Sequence, residues 1–253
     1  MEGPMGFSNL DKVGVLTYGY EEIGKMITWY NPPYYVDHFK KLNFKVEKEY
    51  VEHKFKVKDI LFETHERLQG LIKKRYNLRA LSFNKTKDVL VYADRMFDLF
   101  NDSFASLSSF VKIPDIQKDH LKKKFLSFIN PEYIKFVING SNELVAFSVI
   151  MPSYSTAFQK INGNIFPFGL YHIFKAKKSK TVDLYLIGVR PEYQKKGVHA
   201  IIFNEFQKTF EKHKISECRM TPVLADNVAM RNMWTDYKLK LTKKRCTFRK
   251  ELK

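Results

Sequence analysis

The sequence has 253 residues and a formal net charge of +17 at pH 7, with 44% hydrophobic and 15% aromatic residues. This hydrophobic content is enough for a packed core and excludes a disordered chain. The N-terminal stretch lacks an apolar signal-like core, and no apolar run reaches the length that spans a bilayer. We therefore expect a soluble, cytoplasmic protein that has no membrane partner.

The two cysteines, Cys218 and Cys246, are too few for a disulfide framework, and their spacing is not that of metal ligands. The seven histidines do not have the spacing of zinc ligands either. We expect both cysteines to be reduced core residues and predict no metal site.

The positive charge comes from 35 lysines and only 9 arginines, and the lysines are spread along the whole chain. Three interpretations remain open: a generally lysine-rich surface, attraction of an anionic ligand, and nucleic-acid binding. Because arginine is the better residue for bidentate phosphate contacts, the composition favours a lysine-rich surface over a nucleic-acid partner.

The first 57 residues contain turn signals and short apolar stretches. We predict a strand or loop in residues 13–20, a helix over 34–42 after the break Asn31-Pro32-Pro33, and a strand pair over 44–57. Residues 58–74 have the apolar periodicity of an amphipathic helix. His65 lies on its apolar side, and we interpret it as a histidine at the edge of the core.

From residue 76 onward, strands and helices alternate. We predict strands over 78–83, 134–137 and 144–151 and helices over 87–104 and 116–128. Asn139-Gly140 indicates a hairpin between two of the strands, because both residues tolerate positive φ. Residues 152–180 look like an insertion. Tyr154 and His172 are candidate substrate contacts there, with core packing or exposure as the alternatives.

Residues 182–189 are apolar on both faces, as in a strand that is covered on both sides. Arg190-Pro191 ends this strand, and a short loop, Gln194-Lys195-Lys196-Gly197, precedes a helix from Val198. A glycine-bearing loop before a helix can hold phosphate, since unpaired amides and the helix dipole both point at the loop. An ordinary strand-to-helix turn is the alternative. We then predict a strand over 217–221, a helix over 227–237 and closing strands over 239–251.

The stretch Val-Arg-Pro-Glu-Tyr-Gln-Lys-Lys-Gly-Val, residues 189–198, resembles the acyl-CoA signature of the GNAT superfamily of N-acyltransferases. The resemblance implies a mixed α/β fold whose loop amides hold the pyrophosphate of acetyl-CoA. The implied cofactor-binding residues are Ile187, Val189, Gln194, Lys195, Lys196, Gly197, Val198, His199 and Asn227. The sequence departs from the signature at its last position, where His199 replaces glycine or alanine.

The resemblance also implies direct attack of an amine, on a small molecule or a peptide, on the acyl group. Asp183 lies eleven residues before Gln194, at the family's carboxylate position, and is a candidate general base. A solvent-facing aspartate at a strand end is the alternative. Asn227 occupies the position that opens the family's last helix and contacts CoA, and it is also a candidate helix cap. Trp234 replaces the tyrosine that protonates the leaving thiolate, and Tyr237 is the candidate substitute.

Asn31-Pro-Pro-Tyr-Tyr followed by Phe39-Lys-Lys-Leu-Asn-Phe44 is similar to the last helix and following strand of a GNAT fold. Phe39 and Asn43 depart from the family's tyrosine and glycine. The resemblance extends to tandem GNAT-like proteins of the Bacteroidetes type. It implies a partial GNAT-like unit over 1–57, a linker helix over 58–75 and a GNAT domain over 76–253. An unrelated N-terminal extension is the alternative.

Strands 13–18 and 44–57 would then lack their full neighbours, and a homodimer is one way to cover such edges. Because His199 and Trp234 depart from the family pattern, a non-catalytic binding or structural protein on a degenerate GNAT scaffold stands as the alternative to an enzyme. An acyltransferase that acts on RNA is a third interpretation, suggested only by the charge.

Overall fold

The computed structural model describes residues 1–7, 10–107, 110–123, 129–162, 164–167, 169–234 and 237–252. Its strands are β1 (Glu2–Gly3), β2 (Val15–Tyr18), β3 (Lys45–Lys56), β4 (Arg79–Ser82), β5 (Ile134–Ile138), β6 (Leu144–Pro152), β7 (Thr181–Val189), β8 (Glu217–Met220), β9 (Val223–Leu224) and β10 (Lys240–Arg249). They form a mixed, mostly antiparallel sheet with one parallel pair.

The α-helices of the described residues are α1 (Tyr34–Lys41), α2 (Phe62–Tyr76), α3 (Thr86–Leu90), α4 (Ala93–Phe104), α5 (Asp115–Leu121), α6 (Ser155–Ile161), α7 (Gly169–Ala176), α8 (His199–His213) and α9 (Val228–Met233). None of the helices in these ranges has the length and apolar content that a membrane crossing requires. The strands and helices together confirm the predicted mixed α/β class.

Several predicted boundaries need correction. Residues 45–56 form one continuous strand rather than a strand pair. The helix predicted over 87–104 is broken at Val91-Tyr92 into α3 and α4, and the helix at 227–237 ends at Met233. Of the helix predicted over 116–128, residues 124–128 lie outside the described residues.

The chain divides into two compact units, and both are discontinuous in sequence. The first comprises residues 1–59, 152–183 and 215–253, and the second comprises residues 60–151 and 184–214. Strand β7 contributes its first three residues to the first unit and its last six to the second. The N-terminal residues thus fold with the C-terminal ones. Whether residues 1–57 derive from an earlier GNAT-like unit stays a prediction.

In the first unit, β10 pairs antiparallel with β3 from Lys45↔Arg249 to Lys54↔Lys240. The free edge of β3 is covered by β8 and β9, and β10 also pairs with β1 and β2. The prediction of missing neighbours is therefore wrong for β3, whereas β2 pairs with β10 alone among the described strands. The pairing partner lies some two hundred residues further along the chain, where a reading of local pattern does not find it.

In the second unit, β4, β5 and β6 form an antiparallel meander, and α2 packs against α8. Every residue of β5 and β6 is buried, as expected for strands that are apolar on both faces. The predicted hairpin at Asn139-Gly140 is confirmed by the pairing of β5 with β6. His65 is buried on α2 beside Phe203, which agrees with a core position.

Candidate functional site

Strand β7 is an interior strand of the sheet, as predicted from its sequence. In the first unit, the Ser153 amide donates to the Thr181 carbonyl at 2.8 Å, and the Ser216 amide donates to Lys180 at 2.7 Å. In the second unit, the Arg190 amide donates to the Val145 carbonyl at 2.8 Å. The start of β7 is therefore bonded on both sides. That β7 and β8 diverge further along stays a prediction.

The predicted cofactor loop lies wholly in the second unit, between β7 and α8. A short 3₁₀ turn over Pro191–Tyr193 follows β7, and left-handed φ values occur at Lys195 (+59°) and Gly197 (+75°). Gln194, Lys195 and Lys196 are exposed. The side chain of Gln194 donates from Nε2 to the Val189 carbonyl at 3.1 Å, which ties the loop back to the end of the strand.

Backbone groups of this loop remain open to a ligand. The amides of Gln194 and Lys196 bond within the loop, to Pro191 and Tyr193. Across the described residues, the amides of Gly197 and Val198 donate no backbone hydrogen bond in the loop. In the first turn of α8, the amides of Ala200 and Ile201 donate to the Gly197 and Val198 carbonyls at 2.9 and 3.1 Å, so the open donors are those of the loop itself. This arrangement is that of an anion site at a helix N-terminus.

Gly197 is constrained by the protein itself as well as by any ligand. Its φ of +75° is one that residues with a β-carbon rarely adopt, and an added β-carbon would lie 2.8 Å from Cδ1 of Ile72 on α2. Substitution at Gly197 therefore disturbs the fold in addition to the approach of a phosphate.

Two neighbouring loop residues are fixed by packing. Val198 is buried and serves as the N-terminal cap position of α8. His199 is half-buried, with its ring edge-on to Phe203 at 6.3 Å between centroids. Burial lowers the pKa of His199, so that the ring is mainly neutral at pH 7.

Lys196 contacts two aromatic rings. Its Nζ lies 5.1 Å from the ring centroid of Tyr76 and 5.3 Å from that of Tyr193.

Ile187 and Val189, on the second unit's part of β7, are half-buried. The Val189 carbonyl accepts from Ser103 Oγ at 3.0 Å as well as from Gln194. Gly188 lies between them and in close contact with the ring of Phe147. An added β-carbon at Gly188 would lie 2.3 Å from Cε1 of that ring. The carbonyl of Val189 thus accepts two side-chain hydrogen bonds.

Asp183 belongs to the first unit and is 3% exposed, so it is not the solvent-facing aspartate of the alternative interpretation. Burial raises the pKa of its carboxyl, against the nearby positive charges of Lys25 and Arg219. Ser153 hydrogen-bonds the side chain, and Oδ1 has no hydrogen-bond partner among the described residues. A carboxyl with a raised pKa is suited to accept and return a proton near neutral pH.

Asn227 caps α9 as predicted: its Oδ1 accepts from the Met230 amide at 3.1 Å. Trp234 and Tyr237 are both buried and pack with Phe55, at 5.3 and 5.2 Å between ring centroids. Because α9 ends at Met233, Tyr237 does not lie one helical turn beyond Trp234. Its assignment as the proton donor stays a prediction without the helical geometry that suggested it.

The remaining expectations concern packing residues. Tyr154 is buried at the start of α6, whereas His172 on α7 is half-buried beside Tyr171. Cys218 and Cys246 are buried and free, as predicted. Among the described residues, no group of three or more histidine, cysteine or acidic side chains is placed to hold a metal ion.

Sequence reasoning missed a buried charge cluster in the first unit. Glu52, which is fully buried, pairs with Lys25 and with Nε of Arg245 at 2.8 Å. The two cations lower the pKa of the Glu52 carboxyl against the effect of its burial. The sequence offers only a weak signal for this cluster, because Glu52 is one of several charged residues in β3, and others in that strand are exposed.

No family model matches this chain. It is similar to Protein YghO of Escherichia coli strain K12, with 21% identity over 241 residues, which cover 92% of this chain and 61% of YghO. The chain therefore spans less than two thirds of the length of this curated relative.

Solved structures show which fold this is. A GCN5-related N-acetyltransferase from Sphaerobacter thermophilus superposes with a TM-score of 0.54 at 8% identity, over 90% of this chain and 58% of that one. A tandem GNAT protein from the clavulanic acid biosynthesis pathway has a TM-score of 0.50 at 7% identity, over 87% and 59% of the two chains.

A third similar structure is the glucosamine N-acetyltransferase region of a fungal multi-domain β-N-acetylglucosaminidase. Its TM-score is 0.52 at 8% identity, over 85% of this chain and 22% of that one. At these identities the likeness concerns the fold alone. The chain has the fold of GCN5-related N-acetyltransferases.

Proposed function

We propose that this chain is an acyl-CoA-dependent N-acyltransferase that transfers an acetyl group to an amine on a small molecule or peptide. The observation that carries the proposal is the loop over residues 190–199. It combines left-handed turns at Lys195 and Gly197, open amides and the N-terminus of α8. These features suit the pyrophosphate of CoA. The fold of GCN5-related N-acetyltransferases agrees with this use.

The reaction needs a deprotonated amine, a donor for the carbonyl oxygen and a proton for the leaving thiolate. Asp183, with its buried carboxyl and raised pKa, supports the role of general base, directly or through water. The amides near Ile187 and Val189 are the proposed donors to the carbonyl oxygen. Asn227 is proposed to contact CoA in addition to capping α9.

Gln194, Lys195, Lys196, Gly197, Val198 and His199 are proposed to bind the cofactor together. The exposed lysines bring positive charge to a tetra-anionic ligand, although Lys196 is partly engaged by two tyrosine rings. We further propose a cytoplasmic location, which would give access to acetyl-CoA, and no nucleic-acid partner.

A binding or structural role on a degenerate scaffold is the second candidate. It is favoured by two observations: His199 occupies the last position of the signature, and Trp234 and Tyr237 are buried with Phe55 instead of being exposed to a thiol. In this case the protein would either bind CoA without transferring an acyl group or not bind CoA at all.

Isothermal titration of the full chain with acetyl-CoA, CoA and ATP, followed by a thiol-release assay over a panel of amines, separates the candidates. The enzyme proposal expects both CoA species to bind, ATP not to bind, and at least one amine to accelerate thiol release. Binding without release by any amine supports the non-catalytic role. If neither CoA species binds to wild type or to His199→Ala, the cofactor proposal is wrong.

A further inference from the structure

A polar pocket lies entirely in the first unit. Its lining is mainly basic and consists of Glu22, Ile23, Lys25, Lys54, Arg219, Thr242 and Lys243. The room for a water-sized sphere inside the pocket is about 10 Å³, and the pocket opens to solvent. That is about the space of one water molecule, so the pocket can take a single small polar group of a ligand.

A β-bulge builds this pocket. The register of β10 against β3 shifts between Leu241 and Lys243, so that Thr242 has no partner position in the ladder. In a regular strand, adjacent residues point to opposite faces, whereas a bulge re-aims a side chain. Thr242 and Lys243 consequently both line the pocket. Gly19 packs against the bulge, because an added β-carbon would lie 1.9 Å from the Thr242 carbonyl oxygen.

Lys243 stands out from the other cations of the pocket because it has no acidic partner. Lys54 Nζ lies 3.1 Å from Glu22, and Arg219 Nε lies 2.8 Å from Glu217. Lys25 pairs with Glu52 and donates to the Met220 carbonyl at 2.6 Å. Lys243 is 2% exposed, yet its ammonium makes no hydrogen bond or ion pair with any described residue.

The buried charges do not balance. Three buried cations, Lys25, Arg245 and Lys243, all interact with the Glu52 carboxylate. The other buried carboxyl near them, that of Asp183, interacts with Lys25 and has a raised pKa. Arg245 Nη1 is buried without a hydrogen-bond partner among the described residues. Burial lowers the pKa of Lys243, against the opposing attraction of Glu52 and Glu22. A buried cation without a counter-ion is costly, and a bound anion would remove that cost.

We propose that this pocket is a binding site for a small oxyanion, the carboxylate or phosphate group of a metabolite, with Lys243 as its principal ligand. The Thr242 hydroxyl, which donates to the Glu52 carbonyl at 2.9 Å, helps to hold the bulge in place. Lys25 and Arg219 add positive charge at the wall of the pocket. The site is independent of the cofactor loop, so either proposal can fail without the other.

The test is thermal unfolding of the full chain in sodium acetate, sodium phosphate and sodium chloride at matched ionic strength. We expect acetate or phosphate to raise the unfolding temperature above the chloride value, and the more effective of the two identifies the group that is bound. Equal unfolding temperatures in all three salts would overturn the proposal.

Two lysine variants assign the effect to the pocket. Without oxyanion, Lys243→Met should unfold at a higher temperature than wild type. It should also lose the response, because the apparent affinity should fall at least about tenfold, the scale of one charge-assisted hydrogen bond. Lys244→Met is the matched control, because Lys244 pairs with the half-exposed Glu49 at 3.2 Å. It should keep the full response.

A wild-type response in Lys243→Met would overturn the assignment to this pocket, as would its loss in Lys244→Met. If Lys243→Met does not fold, Lys243→Gln replaces it, since glutamine keeps a polar group in the pocket but lacks the charge. Retention of the response in Lys243→Gln would equally contradict the proposal.

Discussion

The cofactor loop of the second unit and the charge cluster of the first unit differ in how far apart in sequence their residues lie. The loop comprises residues 190–199 and is exposed along Gln194, Lys195 and Lys196. The cluster brings Glu52 into contact with Arg245, 193 positions away, and with Lys25, all of them buried. A continuous motif can be predicted from a single sequence, whereas a cluster that long-range strand pairing assembles cannot.

The two regions also differ in what they contribute. In the loop, backbone amides and positive φ values provide a binding surface, and its side chains are mostly solvated. In the cluster, desolvated charges hold β3 and β10 in register. Substitutions in the cluster should therefore affect stability most, and substitutions in the loop should affect binding most.

The largest expected effect is that of Glu52→Gln. The change leaves Lys25 and Arg245 buried with less compensating charge, and breaking a buried ion pair from one side costs about 3–5 kcal/mol. Urea unfolding at neutral pH measures the loss. Glu49→Gln is the control, because Glu49 pairs with Lys244 at the surface and should cost at most about 1 kcal/mol. Equal losses in the two variants would contradict the difference between the regions.

The same pair gives a pH dependence. Because the pKa of Glu52 is lowered in the folded state, its contribution is present above the unfolded pKa and is lost as pH falls through the folded pKa. The stability difference between wild type and Glu52→Gln should thus shrink below about pH 4. A difference that stays constant down to that range would speak against an ionised Glu52.

Gly197→Ala tests the loop from the side of the fold. The left-handed φ alone costs a residue with a β-carbon about 1–2 kcal/mol, and the contact with Ile72 adds to that cost. Urea unfolding and CoA titration of the same variant separate the two consequences. Gly24→Ala is the control variant, because an added β-carbon at Gly24 would meet no atom within 4 Å. Gly140→Ala is unsuitable as a control, because the added β-carbon would lie 2.2 Å from the Asn77 side chain.

Asn227→Ala should cost about 1 kcal/mol of stability, the usual value for a lost helix cap, since Oδ1 accepts from the Met230 amide at 3.1 Å. Asn227→Asp is the conservative variant, because a carboxylate caps a helix as well as an amide does. If Asn227→Asp restores stability but not CoA affinity, the amide has a role in binding beyond capping.

Asp183→Asn should have the smallest effect at neutral pH, and one of opposite sign. Since burial raises the pKa of Asp183, the ionised form destabilises the folded state as pH rises above the unfolded pKa of about 4. Asparagine removes that cost, so the variant should gain stability relative to wild type as pH rises. CoA affinity should be unchanged and acyl transfer reduced. If Asp183→Asn instead loses more stability relative to wild type at pH 7 than at pH 4, the raised pKa of Asp183 is contradicted.

The sequence was sufficient for the fold class, for the interior strand β7 and for Asn227 as a helix cap, because each depends on local pattern or on a short motif. It was insufficient for the pairing of β3 with β10, and hence for Glu52 and Lys243, since nothing local specifies a partner strand so distant. It also mistook the end of α9, which left Tyr237 outside the helix.

The most direct test of the central claim is hydrogen–deuterium exchange of the full chain with and without CoA. If the loop amides hold the pyrophosphate, peptides covering residues 190–200 should be protected by CoA, because amides bound to phosphate exchange slowly. Peptides within residues 134–150, the β5–β6 hairpin, should be unchanged and serve as the internal control. CoA binding that protects other segments but leaves residues 190–200 unchanged would contradict the account.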